Sequence, residues 1–213
     1  MVLTMRTDPI PPEVASLDRD PVTAYRSRLL EGMAYSVALK GYADTTVADI
    51  VREAGVSKRT FYECFATKKD CLIALYVASS HGAFKVLKEA IDPSRDWETQ
   101  VDRALNAYLG CLASNPALLR TLFIEILGLG AEGLQVRRRM NQELADFVVQ
   151  VVHAGHQHSP QDESLTAAMA MAVVGGINEL VLQAIEGNRT AELATLTPAC
   201  SALVRAVLAG PQP

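Results

Sequence analysis

Cysteine is scarce in this chain of 213 residues, and the four present (Cys64, Cys71, Cys111, Cys200) are widely scattered. No pair has metal-ligand spacing and no disulfide framework can be drawn, so a reducing, cytoplasmic setting with no metal and no cofactor is expected. Aromatic residues make up only 6%, with a single Trp. The core must then come from Leu, Val, Ile, Ala and Met, a palette that suits helices. Neither sign of charge dominates: 20 Lys+Arg face 24 Asp+Glu, for a net charge of −4. That is the wrong sign for the usual basic footprint of a nucleic-acid binder. The N-terminus has no apolar run of the kind that opens a signal peptide. One nearly uncharged stretch, Leu165 to Ile185, contains Glu179, Asn178 and a Gly175-Gly176 pair. A carboxylate in mid-span is costly, so no membrane crossing is expected.

What is present is helical periodicity. Residues 1–20 carry Pro9, Pro11 and Pro12 and read as a flexible arm. Asp20-Pro21 starts a helix through Tyr25, Leu29, Met33 and Val37 that stops at Gly41. Thr46 with Asp49, and Thr67 with Asp70, form capping boxes, and Ser57 caps a short helix between them. The second box opens a long helix to about Ala90. Further helices are expected over Asp96–Ala113, from Asn115-Pro116 to about Leu127, over Leu134–Ala154, Asp162–Glu186 and Thr190–Leu208. No segment alternates with period two. The chain therefore reads as all-α, with about nine helices: a three-helix helix-turn-helix domain (21–66), joined by a long helix to a larger helical domain (67–213).

The stretch Tyr42 to Tyr76 carries the strongest signal. Two short capped helices meet at a Gly-containing turn, with Ala54 small at their crossing and Gly55 supplying the turn conformation. Val47, Ile50, Val51, Val56 and Phe61 mark the inner face. From about Tyr25 to Tyr76 the sequence resembles the TetR family of bacterial transcriptional regulators, through its small-Gly-Val-Ser turn, Thr60-Phe61-Tyr62, Phe65, and Lys68 followed by an acidic residue and an apolar helix. The resemblance implies DNA contacts. Thr45 and Thr46 would face a phosphate from a helix N-terminus. Lys58, Arg59 and Thr60 would meet base edges in the major groove. Tyr62 and Lys68 would bond phosphates, which would offset the unfavourable placement of a lysine in a helix's first turn. Arg59, where the family often has a small residue, and Cys64, where it often has His, depart from the pattern.

Beyond the motif, the resemblance implies a homodimer through the last two helices, bound to a pseudo-palindromic double-stranded operator and released by a small, largely apolar effector. Gly175-Gly176 would allow close approach across the two-fold axis. Trp97, Tyr108, Phe123, Phe147 and Met171 are candidates to line the effector site, with Glu125 and Asn178 as polar groups on apolar stripes. His81 reads as structural, Arg137-Arg138-Arg139 as a solvated face, and His153, His156 and His158 as a polar loop. No nucleophile motif, phosphate loop or metal signature suggests an enzyme. The rival readings are an all-α enzyme and a helical interaction protein that binds no DNA. Charge divides unevenly along the chain: residues 1–90 balance at +1 and 91–213 at −5, while residues 52–69 hold five basic and two acidic side chains. A local basic face inside an acidic protein is the expectation.

Overall fold

The computed structural model describes residues 21–155 and 167–208, all helices and turns with no strand among them. The N-terminal arm, most of the polar loop with His156 and His158, and the expected helix start at Asp162 lie outside the described residues. So do the side chains from Val152 to Gly155.

Local chemistry accounts for the first four helices. α1 (Pro21–Asp44) breaks its regular course at Gly41, whose φ of 77° and ψ of 167° favour glycine. α2 (Val47–Ala54) begins with a reciprocal capping box. The Thr46 hydroxyl accepts from the Asp49 N–H, and the Asp49 carboxylate accepts from the Thr46 N–H at 2.9 Å. It ends on Gly55 in the left-handed conformation, φ 61°. α3 (Lys58–Cys64) is capped by Ser57 and α4 (Lys68–Glu89) by Thr67. α1 crosses α2 at Gly32, where a Cβ would stand 2.6 Å from the Ile50 carbonyl oxygen, so no larger residue fits without backbone movement. Leu29, Met33, Ile50, Phe61, Phe65 and Leu72 close one core around this crossing.

α5 (Trp97–Ala113) and α6 (Pro116–Phe123) follow, capped by Asp96 and Asn115. α6 is shorter than its apolar spacing predicts. The chain leaves α-geometry at Ile124 and tightens into a 3-10 turn over Glu125–Leu129. α7 (Ala131–Gly155) and α8 (Ala167–Glu186) pack against each other. The expected closing helix is divided into a 3-10 segment, Thr190–Leu196, and α9 (Thr197–Leu208). Pro198 falls in the first turn of α9, where its missing N–H costs nothing.

α8 is long and apolar enough to cross a membrane by length and composition alone. Val173, Val174, Ile177, Val181 and Ile185 are nevertheless buried inside the helical body. There Leu105, Leu109, Leu119, Leu193 and Cys200 complete a second core, built from α5, α6, α8, α9 and the turn between the last two. A smaller cluster of Tyr76, Leu122, Ile126, Val136 and Met140 lies between α4, α6 and α7, and Leu118 touches both it and the first core. Gly176 meets Leu203 of the same chain rather than open surface, and Gly175 is exposed with nothing near it.

Candidate DNA-reading head and effector cavity

On α3, Phe61 is fully buried while Lys58, Arg59, Tyr62 and Glu63 are exposed. At about 100° per residue these four follow one another around an arc of about 140°. Tyr62 stands 58% exposed with its ring edge-on to Phe61, 5.3 Å between centroids, so one ring contact steadies a largely exposed side chain. Thr60 is half-buried, its N–H donating to the Ser57 hydroxyl and its own hydroxyl 2.9 Å from the same oxygen. Arg59 Nε donates to Glu63 Oε1 at 2.9 Å, one turn on. That leaves the two terminal nitrogens of the guanidinium free to donate elsewhere.

The other residues expected at DNA are placed differently. Thr45 is 1% exposed and its hydroxyl donates to the Gly41 carbonyl, so its side chain faces inward rather than toward a phosphate. Thr46 is exposed at the start of α2, but its hydroxyl serves the capping box and donates to Asp49. Lys68 is turned back onto the end of α1. Its Nζ donates to the carbonyls of Tyr42 (2.9 Å), Ala43 (3.4 Å) and Thr45 (2.7 Å) and lies 4.2 Å from the centre of the Tyr42 ring. Burial lowers the pKa of this amine, opposed by the nearby Asp44. The lysine expected at a phosphate from the start of α4 is thus engaged within the chain. Three carbonyls around the end of α1 offset the unfavourable helix position instead.

Two arginines missed in the sequence do the same for the neighbouring helices. Arg28 donates to the Gly55 carbonyl at the end of α2 (2.9 Å). Arg26 donates to the Cys64 carbonyl at the end of α3 (3.2 Å) and stacks over Phe65. The local excess of basic residues is largely neutralised from within. Arg52 pairs with Asp49 and Glu53, Arg59 with Glu63, and Lys69 with Glu132. Lys58 has no ion pair among the described residues. Asp49 also accepts from Lys40 at 2.6 Å, and the Lys40 and Thr46 hydrogen bonds hold its carboxyl well below the usual range.

The second site lies in the body. Tyr76, Ser80, His81 and Phe84 from α4 enclose a cavity with Tyr108 and Leu112 from α5, Leu122 and Phe123 from α6, Arg137, Met140, Asn141, Glu143 and Leu144 from α7, and Asn178 from α8. Its volume is about 60 Å³, room for a few water molecules. Typical ligand pockets enclose roughly 300–1,000 Å³, so this one must open to be filled. Burial raises the phenol pKa of both Tyr108 and Tyr76, and the Arg137 charge opposes that shift at Tyr76. Asn178 donates to Asn141 at 3.2 Å, and His81 pairs with Glu143 at 3.0 Å.

Of the residues expected at the effector, Tyr108, Phe123 and Asn178 line this cavity; four do not. Trp97 packs against the body core. Phe147 stands behind Phe84 in an edge-to-face contact of 5.2 Å. Met171 packs beside Ala170 and Val174. Glu125, turned off the α6 stripe by the 3-10 geometry, accepts from the Tyr42 N–H at 3.4 Å and lies 4.0 Å from Arg120, so it joins the body to the end of α1. Conversely, His81 and Arg137, read from the sequence as structural and solvated, both line the cavity. The signal for Arg137 was available. It lies three residues before Met140 and seven before Leu144, on their apolar stripe.

A capped helix-turn-helix presenting an exposed arc of α3, mounted on a helical body with an internal cavity, defines a DNA-binding transcriptional regulator. Residues 34–75 match the model of the bacterial regulatory proteins of the tetR family. The chain is 22% identical over 174 residues to the fatty acid metabolism regulator protein of Bacillus subtilis (strain 168), a match spanning 80% of this chain and 88% of that protein. Its fold is similar to the transcriptional regulator FadR from Bacillus subtilis in complex with stearoyl-CoA (TM-score 0.69, 19% identity, 84% of this chain and 96% of that one). A similar fold is found in a putative TetR-family regulator from Syntrophomonas wolfei (TM-score 0.70, 17% identity, 88% and 96%). Residues 34–75 thus carry the DNA-binding region of the tetR family of bacterial regulatory proteins, and the helical body shares its fold with regulators of that kind.

Proposed function

We propose that the protein is a cytoplasmic, homodimeric repressor that leaves a pseudo-palindromic operator when a small, largely apolar effector fills the cavity between α4 and α8. The observation that carries this reading is the small volume of that cavity. Filling it requires α4, α5, α6, α7 and α8 to separate. α4 also carries Lys68, which grips the end of α1, and Glu125 ties the turn after α6 to the same place. A ligand that binds the opened body more tightly than the closed one shifts the population of head positions, and only to the extent of that difference.

Lys58, Arg59 and Thr60 would read bases and Tyr62 a phosphate, with Thr46 at the α2 N-terminus close by. One short helix reads few base pairs, so two heads on a two-fold axis are needed for a specific site. α8 and α9 offer the surface for that pairing. Ala168, Ala172 and Gly175 on α8, with Ala199, Ala202 and Ala206 on α9, are exposed and small enough for close helix contact. The similarity to FadR suggests an acyl chain, free or as a thioester, as the effector.

Selection of bound sites from random duplex DNA, followed by displacement with octadecanoyl-CoA, tests the reading. A palindromic consensus, released by the thioester, is expected. Failure to enrich any sequence would overturn the operator; enrichment without release would overturn the effector class.

A further inference from the structure

Arg137 is the cavity's least expected lining group. It projects from α7 among Tyr76, Tyr108, Leu122, Phe123 and Met140, half-buried, and no ion pair holds it among the described residues. Its exposed neighbours Arg138 and Arg139 lie outside the cavity. The carboxylate among the lining residues, Glu143, is engaged by His81 from α4, and the Asn178 amide by Asn141. A guanidinium keeps its charge at any physiological pH and offers five donors. Half-buried and, among the described residues, unpaired, with the carboxylate of Glu143 turned to His81, it loses further water when a ligand enters. The loss is recovered only if the ligand brings an anion.

We propose that Arg137 receives an anionic group carried directly on the effector's apolar body, so that the protein recognises an amphipathic anion rather than a neutral lipid. This rests on the effector reading above. Two sources share that chemistry: a free acyl carboxylate, whose charge sits at the end of the chain, and an acyl thioester of coenzyme A, whose phosphates lie farther from the chain. The position of Arg137 among the aromatic walls favours the first.

The test is calorimetric titration of the full chain with dodecanoate and octadecanoate, the matched alkan-1-ols and the matched acyl-CoAs, repeated with Arg137→Gln and, as a control, Arg138→Gln. The acid is expected to bind at least about tenfold more tightly than the alcohol, the scale of one charge-assisted hydrogen bond. Arg137→Gln should erase that preference, Arg137→Lys should restore part of it, and Arg138→Gln should leave it intact. Equal binding of acid and alcohol by the native chain, or a preference that survives Arg137→Gln, would overturn the proposal. So would the absence of all binding while operator retention is normal, an outcome that leaves the DNA-reading function standing. If the acyl-CoAs alone bind and lose affinity with Arg137→Gln, the anion site stands and its partner is a phosphate.

Discussion

In the head, α1, α2 and α3 each end on carbonyls that a cation from elsewhere satisfies: Lys68 on α1, Arg28 on α2, Arg26 on α3. Each of α2, α3 and α4 begins with a side-chain cap. In the body, a guanidinium lines a cavity without an ion pair, and the buried hydroxyls of Thr197 and Ser201 have no hydrogen-bond partner among the described residues. Ser36 is an exception on the head's own α1. Apart from Ser36, the head's helix ends are closed by caps at their starts and by cations from other helices at their ends, which favours one fixed shape. In the body, the cavity keeps one guanidinium unpaired among the described residues, Arg137, which a ligand there can answer.

The largest test of this contrast is truncation within each core. Phe61→Ala in the head and Leu109→Ala in the body, both fully buried, should cost about 3–5 and 2–5 kcal/mol respectively. If the two regions unfold independently, calorimetry will show each substitution shifting its own transition. A single shared transition would show that the cluster around Tyr76 and Ile126 fuses them. Next is Lys68→Met, expected to cost about 1–3 kcal/mol by orphaning carbonyls around the end of α1. Because the native amine is occupied there, the slope of log affinity against log salt should stay unchanged. A fall of about one in that slope would mean a phosphate contact after all.

Arg59→Ala should cost about 1–3 kcal/mol at one base pair of each half-site and relax selection there. A uniform loss across all sequences would instead assign Arg59 to the backbone. Glu63→Gln should keep the fold while loosening that same base preference, because Glu63 fixes Nε and so aims the terminal nitrogens.

The smallest effect concerns acid. The Asp49 carboxyl is depressed by Lys40 and Thr46, so its contribution is present above its unfolded pKa of about 3.9 and is lost as pH falls toward the folded value. Helicity followed by circular dichroism through that window should fall more steeply for the native chain than for Asp49→Asn. Parallel curves would remove Asp49 from the head's stability.

Legibility in the sequence follows the same divide. Thr46, Gly55, Ser57, Thr67 and Asp96 act within a few residues of themselves, so pattern alone located the helix starts and the turn. Tyr108, Phe123 and Asn178 line the cavity as their spacing suggests, because large or polar groups on an apolar stripe have few places to go. Lys68, Glu125 and Arg137 have surroundings that local spacing does not reveal, for one reason. Each is defined by an element distant in the chain: the end of α1 for the first two, the α4–α6 wall for the third. Glu125 is less legible still, because α6 gives way to 3-10 geometry, which rotates a side chain off the stripe that spacing predicts. Gly32 gave no local hint, since its need for smallness comes from Ile50 on the crossing helix.

The internal neutralisation of the head bears on how the protein moves through a genome. Each phosphate met by a free cation releases condensed counterions, and that release supplies nearly all sequence-independent attraction to a duplex. With Arg52, Arg59 and Lys69 ion-paired within the chain and Lys68 folded onto carbonyls, the chain brings few unshared charges from this segment to the encounter. Random DNA then holds it weakly and releases it soon. Residence would then be left to base edges met by α3, and a crowd of wrong sites would delay the search less than the count of basic residues suggests.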